Sequence, residues 1–397
     1  MYVTVGRDTP APGRRALRAV PATVLVLGTV SLITDVSSEM VTAVMPLYLA
    51  LALGLTPLQL GLADALSFGV TAVLRPIGGR VSDRWRAKPV AVFGYALSAV
   101  AKAGVLVAGA AIGPLAAAIV ADRTGKGLRT APRDAMIAAS VAPERQGTAF
   151  GVHRAMDTLG ALVGPLVALA VLAATGGAYR AVFGVSFCIA LLGVGVLLLH
   201  VRDSPVRTET VPPMWTVLKD RSLRRICLAA AGLGLFTVSD FFVYLLLQRS
   251  GAVPIQYFPL LPLGTAAVYL LLAVPLGRLA DTRRVEVLLG GHLALVAALL
   301  LLIGTHTAAV ALVGVLALHG LFYAATDGVL MALAAPQVPP AGRTTGLAVI
   351  QTVQAAARFV SSLAVGALWT AWSERTALLV MAVGLTAAVA GAAKVLR

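Results

Sequence analysis

The sequence predicts an all-α membrane protein of twelve transmembrane helices, arranged as two similar six-helix bundles. The first observation is composition: of the 397 residues, 59% are hydrophobic and 12% are charged, whereas a soluble domain has about 25% charged residues. The second is that twelve apolar segments approach the ~20 residues that a bilayer requires of a helix. The third is that loop features of the first half recur in the second half.

The apolar segments define the predicted spans and domains. The spans lie near residues 22–53, 58–78, 89–110, 112–137, 147–174, 178–200, 225–248, 257–277, 286–304, 308–335, 344–370 and 376–393. The long polar connection divides the chain into an N-terminal bundle, a cytoplasmic central loop and a C-terminal bundle, at residues 1–200, 201–222 and 223–397. The first apolar run is about twice as long as a signal-peptide core, so we expect it to be a membrane helix.

The distribution of basic residues predicts orientation and excludes one class of partner. Loops and termini on one side contain 21 of the 32 lysines and arginines, and the opposite side contains 3. The positive-inside rule therefore places both termini in the cytoplasm and the chain in the inner membrane. The net charge of +15 is scattered rather than gathered into a nucleic-acid-binding patch. The expected partners are membrane lipid and a small-molecule substrate, and the expected state is a monomer.

The halves repeat with a constant offset. Asp83 and Asp281 follow the second and eighth spans and are 198 residues apart, as are Arg145 and Arg343 after the fourth and tenth spans. A duplicated six-helix unit predicts a substrate site between the repeats near the middle of the membrane. Cys188 and Cys227 lie in or beside apolar stretches, so we expect two buried free cysteines, and no metal site is indicated.

Ionisable residues within the predicted spans are concentrated in the first half. They are Asp35, Glu39, Asp64, Arg75, Lys102, Asp122, Arg123, Lys126, Arg129, Arg133, Asp134, Arg154 and Asp157 in the first half, and Asp240, Asp327 and Arg358 in the second. Such residues are costly in a bilayer and indicate function by default. The simplest interpretation gives ion coupling to the first half and an apolar wall to the second.

Asp35 and Glu39 are the leading candidates for proton coupling. They are four residues apart and share one face of the first span. Two adjacent carboxylates cannot both ionise easily in a low dielectric, so one can carry a proton. Helical rise places Glu39 about 18 Å and Arg123 about 16 Å from the same membrane surface, so we expect Arg123 to contact this pair. The alternative is that both carboxylates are permanently paired with bases of the fourth span.

The fourth and fifth spans add further candidates. Arg123, Lys126, Arg129 and Arg133 share one face of a helical wheel. They line an anion path, or they form a charge ladder with Asp35, Glu39, Asp122, Asp134 and Asp157. His153 and Asp157 are additional proton-relay candidates, although a histidine near a helix end is more often structural.

Three local patterns resemble the major facilitator superfamily. They are Gly79-x-x-x-Asp83-Arg84 with Lys88 after the second span, Arg123-x-x-x-Gly127 with Pro132 in the fourth, and Gly151-x8-Gly160-x3-Gly164-Pro165 in the fifth. The first departs from the family pattern at Trp85-Arg86-Ala87, and the third has Ala168 in place of its last glycine. The third is similar to the pattern of drug–proton antiporters.

The resemblance implies roles for residues of several spans. It implies a cytoplasmic gate with Gly79, Asp83 and Arg84, with Asp134 as a partner for a loop base and Asp281 at the repeated position. Gly151, Gly160, Gly164 and Pro165 would allow close packing and switching of the fifth span. By the resemblance, Asp240 and Asp327 would face the substrate cavity, and the helical wheel of the fourth span adds Lys126 and Arg129 as cavity candidates.

The favoured function is proton-coupled export of a small organic compound. No cofactor is expected, because the Gly-x4-Gly-Lys-Ser/Thr pattern of a nucleotide site is absent from the sequence and a proton gradient would supply the energy. The alternative is proton-coupled uptake of a nutrient or organic anion. A remote alternative, an intramembrane enzyme, lacks a His-Glu-x-x-His or Gly-x-Ser-x-Gly motif in this sequence, so we predict that the chain is not an enzyme.

Overall fold

The computed structural model describes most of the chain, and every regular element within the described residues is a helix. The described ranges are 21–84, 86–109, 111–141, 146–201, 221–251, 253–304, 308–334 and 343–396, apart from the side chains of residues 75, 76, 78–84, 146–148, 308 and 343–346. The predicted central loop lies outside these ranges, except for Val201 and the first two residues of the helix that follows it.

Among the described residues, the first half contains six helices, which match the first six predicted spans. They are α1 (Ala22–Leu47), α2 (Pro57–Arg84), α3 (Ala87–Ala108), α4 (Ile112–Ala139), α5 (Gln146–Ala174) and α6 (Tyr179–His200). A π-helical turn over Tyr48–Ala52 extends α1 to the predicted end of the first span.

In the described part of the second half there are eight helices and one 3-10 segment, because two predicted spans are broken. The elements are α7 (Arg221–Leu235), α8 (Asp240–Arg249), a 3-10 helix (Ile255–Leu260), α9 (Leu261–Thr282), α10 (Arg284–Ile303), α11 (Ala308–Thr326), α12 (Val329–Ala334), α13 (Arg343–Ala371) and α14 (Glu374–Leu396). The seventh span consists of α7 and α8, and the tenth consists of α11 and α12.

Twelve spans follow when α4 is included. Among the described residues, eleven helices or helix pairs are long and apolar enough to cross a membrane. Helix α4 has 28 residues and is therefore also long enough to cross a membrane, but it contains many charged residues. Its charges are tolerated in a membrane only where they face protein or water and pair with one another.

Side-chain hydroxyls bond to backbone carbonyls at the break between α7 and α8. The Thr237 hydroxyl donates to the carbonyl of Leu233 at 2.8 Å, as threonine hydroxyls also do within unbroken helices. The Thr237 carbonyl is in turn free to accept from the Ser361 hydroxyl at 2.8 Å. Interrupted backbone at membrane depth persists only where protein groups satisfy it in this way.

The break between α11 and α12 depends on a glycine. Gly328 has a φ of 81°, a left-handed conformation that glycine adopts without steric cost. Asp327 precedes it in the turn and is exposed, so the break presents a carboxylate at the end of α11.

By compactness, the described chain divides within α1 and α2. One unit comprises residues 1–42 and 73–209, and the other comprises 43–72 and 210–397; they are called the first and second units below. The predicted domains at 1–200 and 223–397 differ from these units in the placement of 43–72, and those boundaries stay a prediction.

Close helix packing builds the first unit. Val24, Leu27, Met136 and Leu197 belong to one buried apolar cluster of α1, α4 and α6. Helices α3 and α4 approach so closely at Gly94 that an added Cβ would lie 2.8 Å from the Gly125 carbonyl oxygen. The close approach of these backbones brings the polar side chains of α3 within reach of those of α4.

The second unit contains a comparable glycine contact. An added Cβ on Gly61 of α2 would lie 2.6 Å from the Ser362 carbonyl oxygen and 3.0 Å from Gly366 Cα. The N-terminal part of α2 therefore packs directly on α13. A separate apolar cluster includes Leu223, Leu288 and Ile350 and joins α7, α10 and α13.

Candidate functional site

Arg133 is the centre of a polar network in the first unit. Its Nε donates to Asp134 Oδ1 at 3.0 Å and its Nη1 donates to Ser31 Oγ at 3.1 Å. Nη1 also lies 3.9 Å from Asp157 Oδ1, an ion-pair distance that is too long for a hydrogen bond. Ser31 Oγ is 3.0 Å from His153 Nε2. The network therefore connects α1, α4 and α5 through one permanent charge.

Asp35 contacts Asp157 rather than its predicted partner. The two carboxyl groups are within hydrogen-bonding reach of each other, and Lys126 and Arg129 act on Asp35 from α4. On the other side, Arg154 Nη1 lies 3.5 Å from Asp157 Oδ2. Two carboxyl groups in such contact can share one proton, which behaves as a property of the pair.

The sequence pattern identifies one member of this pair, Asp35, and not the other. Ser31, Asp35 and Glu39 follow each other at intervals of four, so they share one face of α1. The facing residue on α5 depends on the depth and rotation of the packed helices, which the sequence does not give. Glu39 consequently took the place of Asp157 in the predicted pair.

Arg123 belongs to a second ionic group, which joins α4 to α3. Arg123 Nε and Lys102 Nζ each lie 3.6 Å from a carboxylate oxygen of Asp122. Ser98 donates to the same carboxylate at 3.0 Å. Among the described residues, the ion-pair partner of Arg123 is therefore its neighbour Asp122, and neither Asp35 nor Glu39.

The predicted cavity base Arg129 is buried against an aromatic ring. Its guanidinium carbon lies 4.5 Å from the centre of the Tyr95 ring, a cation–π geometry. Nη1 of Arg129 has no hydrogen-bond partner in the described part of the chain. Of the four bases on this face of α4, Arg123 and Arg133 therefore pair with carboxylates of their own helix, whereas Arg129 packs on Tyr95.

The fifth-span glycines separate into two groups. An added Cβ on Gly164 would lie 2.7 Å from Glu39 Cβ, and one on Gly160 would lie 3.0 Å from Leu32 Cα, so both positions pack on α1. Pro165, next to Gly164, is buried. Gly151 is exposed, with nothing within 4 Å of an added Cβ.

The two cavity aspartates of the second half lie at the two helix breaks. Asp240 is the first residue of α8 and accepts from the Tyr323 hydroxyl at 2.5 Å. His319 Nε2 lies 3.3 Å from the same oxygen. Asp327 accepts from the Tyr269 hydroxyl at 3.3 Å. The second unit is therefore more polar than the predicted apolar wall.

A further buried carboxylate was not assigned a role from the sequence. Asp64 Oδ2 accepts from the hydroxyls of Ser239 and Ser362 at 2.6 Å and 2.5 Å. These serines lie 175 and 298 residues away along the chain, so no sequence pattern indicates the cluster. Two serines among apolar residues are ordinary in a membrane helix.

The predicted gate residues are only partly described. Gly79, Asp83 and Arg84 belong to the last turns of α2 rather than to a loop, and their side chains lie outside the described set. Asp134 pairs with Arg133 of its own helix, where we expected a loop base. Asp281 is exposed on α9 and lines a surface cavity of about 290 Å³ with Arg284 and Glu286.

Comparison with known proteins identifies the family. The profile of the Major Facilitator Superfamily matches residues 27–264. An uncharacterized MFS-type transporter of Methanocaldococcus jannaschii is 28% identical over 375 residues, which are 91% of this chain and 92% of that protein. A multidrug resistance protein of Cronobacter sakazakii, MdtH, is 31% identical over 186 residues, which are 46% of this chain and 45% of that protein.

The fold comparison agrees. The crystal structure of the nucleoside transporter NupG superposes with a TM-score of 0.80 at 13% identity, and covers 95% of this chain and 100% of that one. The all-α membrane fold is thereby confirmed. The family and these named proteins are transporters. The chain therefore belongs to the Major Facilitator Superfamily, as a multi-pass membrane transporter that works by alternating access and is not an enzyme.

Proposed function

We propose that the chain is a proton-coupled antiporter that exports a small organic compound from the cytoplasm, with both termini on the cytoplasmic side of the cell membrane. The observation that carries this proposal is the Asp35–Asp157 pair and its position beside Arg133. The energy comes from the proton gradient, and no cofactor is required.

The charges around the pair provide a switch. A guanidinium keeps its charge under all physiological conditions, so contact with Arg133 favours the ionised pair. Separation from Arg133 favours the protonated pair, because a low dielectric disfavours an uncompensated carboxylate. The 3.9 Å distance between Arg133 and Asp157 requires little movement to become either a hydrogen bond or a separation.

The glycine contact between α1 and α5 couples this switch to helix movement. Gly164 packs on the residue that follows Asp35 by one turn of α1. A shift of α5 along α1 would move Asp157 relative to Asp35 and Arg133. Alternating access requires that a proton bind the two states with different affinities, and such a shift meets that requirement.

Export is favoured over uptake by two observations. The fifth span has most of the antiporter glycine pattern. The partial match to a multidrug resistance protein covers nearly half of the chain. Uptake by symport is the second candidate, and the direction of the gradient that drives accumulation distinguishes the two.

The test is accumulation of a substrate in proteoliposomes. Candidate compounds are first selected by thermal stabilisation of the purified protein. An antiporter accumulates its substrate in vesicles with an acidic interior, whereas a symporter accumulates it when the exterior is acidic. We expect accumulation with the acidic interior, and accumulation only with the acidic exterior would contradict export.

Variants of the carboxyl pair test the coupling site. We expect Asp35→Asn and Asp157→Asn each to reduce proton-driven accumulation by about tenfold or more, within the usual range of coupling free energies, while substrate binding persists. Glu286→Gln, an exposed residue of α10, is the matched control and should retain wild-type accumulation. Wild-type accumulation by both aspartate variants would exclude this pair as the coupling site.

A further inference from the structure

Arg129 of α4 is a buried base with an unpaired hydrogen-bond donor. The residue is 3% exposed, and its guanidinium carbon lies over the Tyr95 ring at 4.5 Å from the ring centre. Its Nη1 is buried and has no hydrogen-bond partner in the described part of the chain. A buried donor without an acceptor is costly, and more so when it is charged. This nitrogen therefore calls for an acceptor other than the described residues.

Tyr95 of α3 provides a second unpaired donor at the same place. The residue is 2% exposed, and its hydroxyl is buried without a hydrogen-bond partner among the described residues. Arg133 acts on this tyrosine by charge, so a second guanidinium contributes to a positive environment. Because the Arg129 guanidinium lies over the ring, a single acceptor beside the two side chains can receive a bond from both donors.

The charges around Arg129 leave a positive excess. Asp122 is surrounded by four bases that act on it, which are Lys102, Arg123, Lys126 and Arg129. Two of these bases, Lys126 and Arg129, also act on Asp35. Four bases thus act on two carboxylates within this part of the first unit. Charges within a membrane are costly unless they are paired, so the excess favours a bound anion over a neutral water molecule.

The packing of α3 on α4 selects a small anion. An added Cβ on Gly94 would lie 2.8 Å from the Gly125 carbonyl oxygen and 2.9 Å from Arg129 Cβ. The two helices are therefore in backbone contact where the Arg129 side chain begins, which leaves little room for the carbon skeleton of an organic anion. A monatomic anion needs little more than the ~30 Å³ that a water molecule occupies.

We propose that Arg129 Nη1 and the Tyr95 hydroxyl bind a chloride ion that is buried between α3 and α4. The ion accepts one N–H and one O–H donor, and its charge compensates part of the excess of bases around Asp122. Water could satisfy the two donors but would leave the charge unchanged. This site goes beyond the proposed function, because neither proton coupling nor the direction of transport requires it.

The test is binding of chloride to the purified protein in detergent, without a gradient and at constant ionic strength, with gluconate in place of chloride in the reference buffer. Equilibrium dialysis with chlorine-36 should show saturable binding of about one ion per chain. A ligand of the folded state divides the unfolding equilibrium constant by 1 + [L]/Kd. Chloride at ten times its Kd should therefore lower this constant about elevenfold in SDS mixed micelles.

Two variants test the proposed ligands. Tyr95→Phe keeps the ring beside the guanidinium and removes only the hydroxyl, and Arg129→Gln removes the charge. Each should raise the Kd for chloride about tenfold or more, as expected for a lost hydrogen bond to a charged group. Tyr244→Phe is the matched control, because this buried tyrosine of the second unit donates to Thr265 at 2.9 Å; it should bind chloride as the wild type does.

Each outcome decides the proposal. Saturable chlorine-36 binding that is weakened in Tyr95→Phe and unchanged in Tyr244→Phe supports it, and Tyr95→Phe gives this answer even if Arg129→Gln does not fold. The proposal is overturned if chlorine-36 does not bind with saturation, or if Tyr95→Phe binds it as tightly as the wild type. Equal stability in chloride and gluconate would mean that water satisfies the two donors, which also overturns it.

Discussion

The carboxylates in the two units of the molecule have different kinds of partner. In the first unit, Asp122, Asp134 and Asp157 lie beside lysine or arginine side chains. In the second unit, Asp64 is held by two serine hydroxyls and Asp240 by a tyrosine hydroxyl and an imidazole. The contacts of these carboxylates are therefore with permanent charges in the first unit and with hydroxyls and an imidazole in the second, where Arg358 also acts on Asp240.

This difference bears on which carboxylates can bind a ligand. A carboxylate paired with arginine is already compensated, and it responds mainly to movement of the arginine. A carboxylate held by hydroxyls keeps its negative charge available to a cation. Under the proposed function, the first unit would therefore convert protonation into movement through Arg133.

The largest expected effect concerns Arg133. Arg133→Ala removes a side chain that is 14% exposed and leaves Asp157 without its α4 partner. Removal of one partner of a buried ionic network costs about 3–5 kcal/mol. We expect the free energy of unfolding, titrated with SDS in mixed micelles, to fall by this amount, together with loss of accumulation.

Arg154 supplies the matched comparison for that prediction. It contacts the same carboxylate at 3.5 Å, but its side chain is 79% exposed. A single solvent-exposed ion pair contributes about 0–1 kcal/mol, so Arg154→Ala should have a small effect. Equal losses in the two variants would show that burial of the network does not determine its strength, and the contrast between the units would fail.

A smaller effect on stability is expected at one close glycine contact in each unit. Gly164→Leu in the first unit and Gly366→Leu in the second introduce a side chain where an added Cβ would already lie 2.7 Å from Glu39 Cβ or 2.6 Å from the Pro57 carbonyl oxygen. Overpacking costs about 1–3 kcal/mol. Unfolding in mixed micelles should report this loss in both variants.

Transport measurements test whether the Gly164 contact is needed for helix movement. Gly164→Leu should abolish accumulation because it blocks movement of α5 along α1. Gly151→Leu is the control, since nothing lies within 4 Å of an added Cβ there, and it should retain stability and transport. Full accumulation by Gly164→Leu would remove the proposed link between this contact and the switch.

The sequence predicted the helical spans well because each span obeys a single physical rule. About 20 apolar residues must cover a bilayer, and the ends of α1 and α5 agree with the predicted limits to within one residue. The break at Gly328 had a visible signal, a glycine after an aspartate. The break after Leu235 had none, because the Ser361 hydroxyl that bonds the Thr237 carbonyl lies far away in the chain.

The candidate sites were predicted less completely because they depend on how helices are rotated against each other. Asp35 was identified from its cost in a bilayer, but its contact with Asp157 requires the packing of α1 on α5. His319 lies alone in an apolar run and was indistinguishable from a core residue. Its proximity to Asp240 arises only from the packing of α11 on α8.

The smallest expected effect sharpens the comparison most directly, because it tests whether Asp64 is ionised. Ser361 and Ser362 are adjacent on α13 and both are buried. Ser361 donates to the neutral carbonyl of Thr237 at 2.8 Å, and Ser362 donates to the Asp64 carboxylate at 2.5 Å. The two serines therefore differ chiefly in the charge of the acceptor.

Hydrogen bonds to neutral groups contribute about 0.5–1.5 kcal/mol and those to charged groups about 1.5–3 kcal/mol. Ser362→Ala should accordingly lower the free energy of unfolding by about 1 kcal/mol more than Ser361→Ala does. The double variant Ser362→Ala with Asp64→Asn should remove this excess, since no charged acceptor remains. Equal losses in the two single variants would mean that Asp64 is protonated in the folded protein. Asp64 would then carry no negative charge, and the second unit would have one ionised carboxylate fewer than the comparison requires.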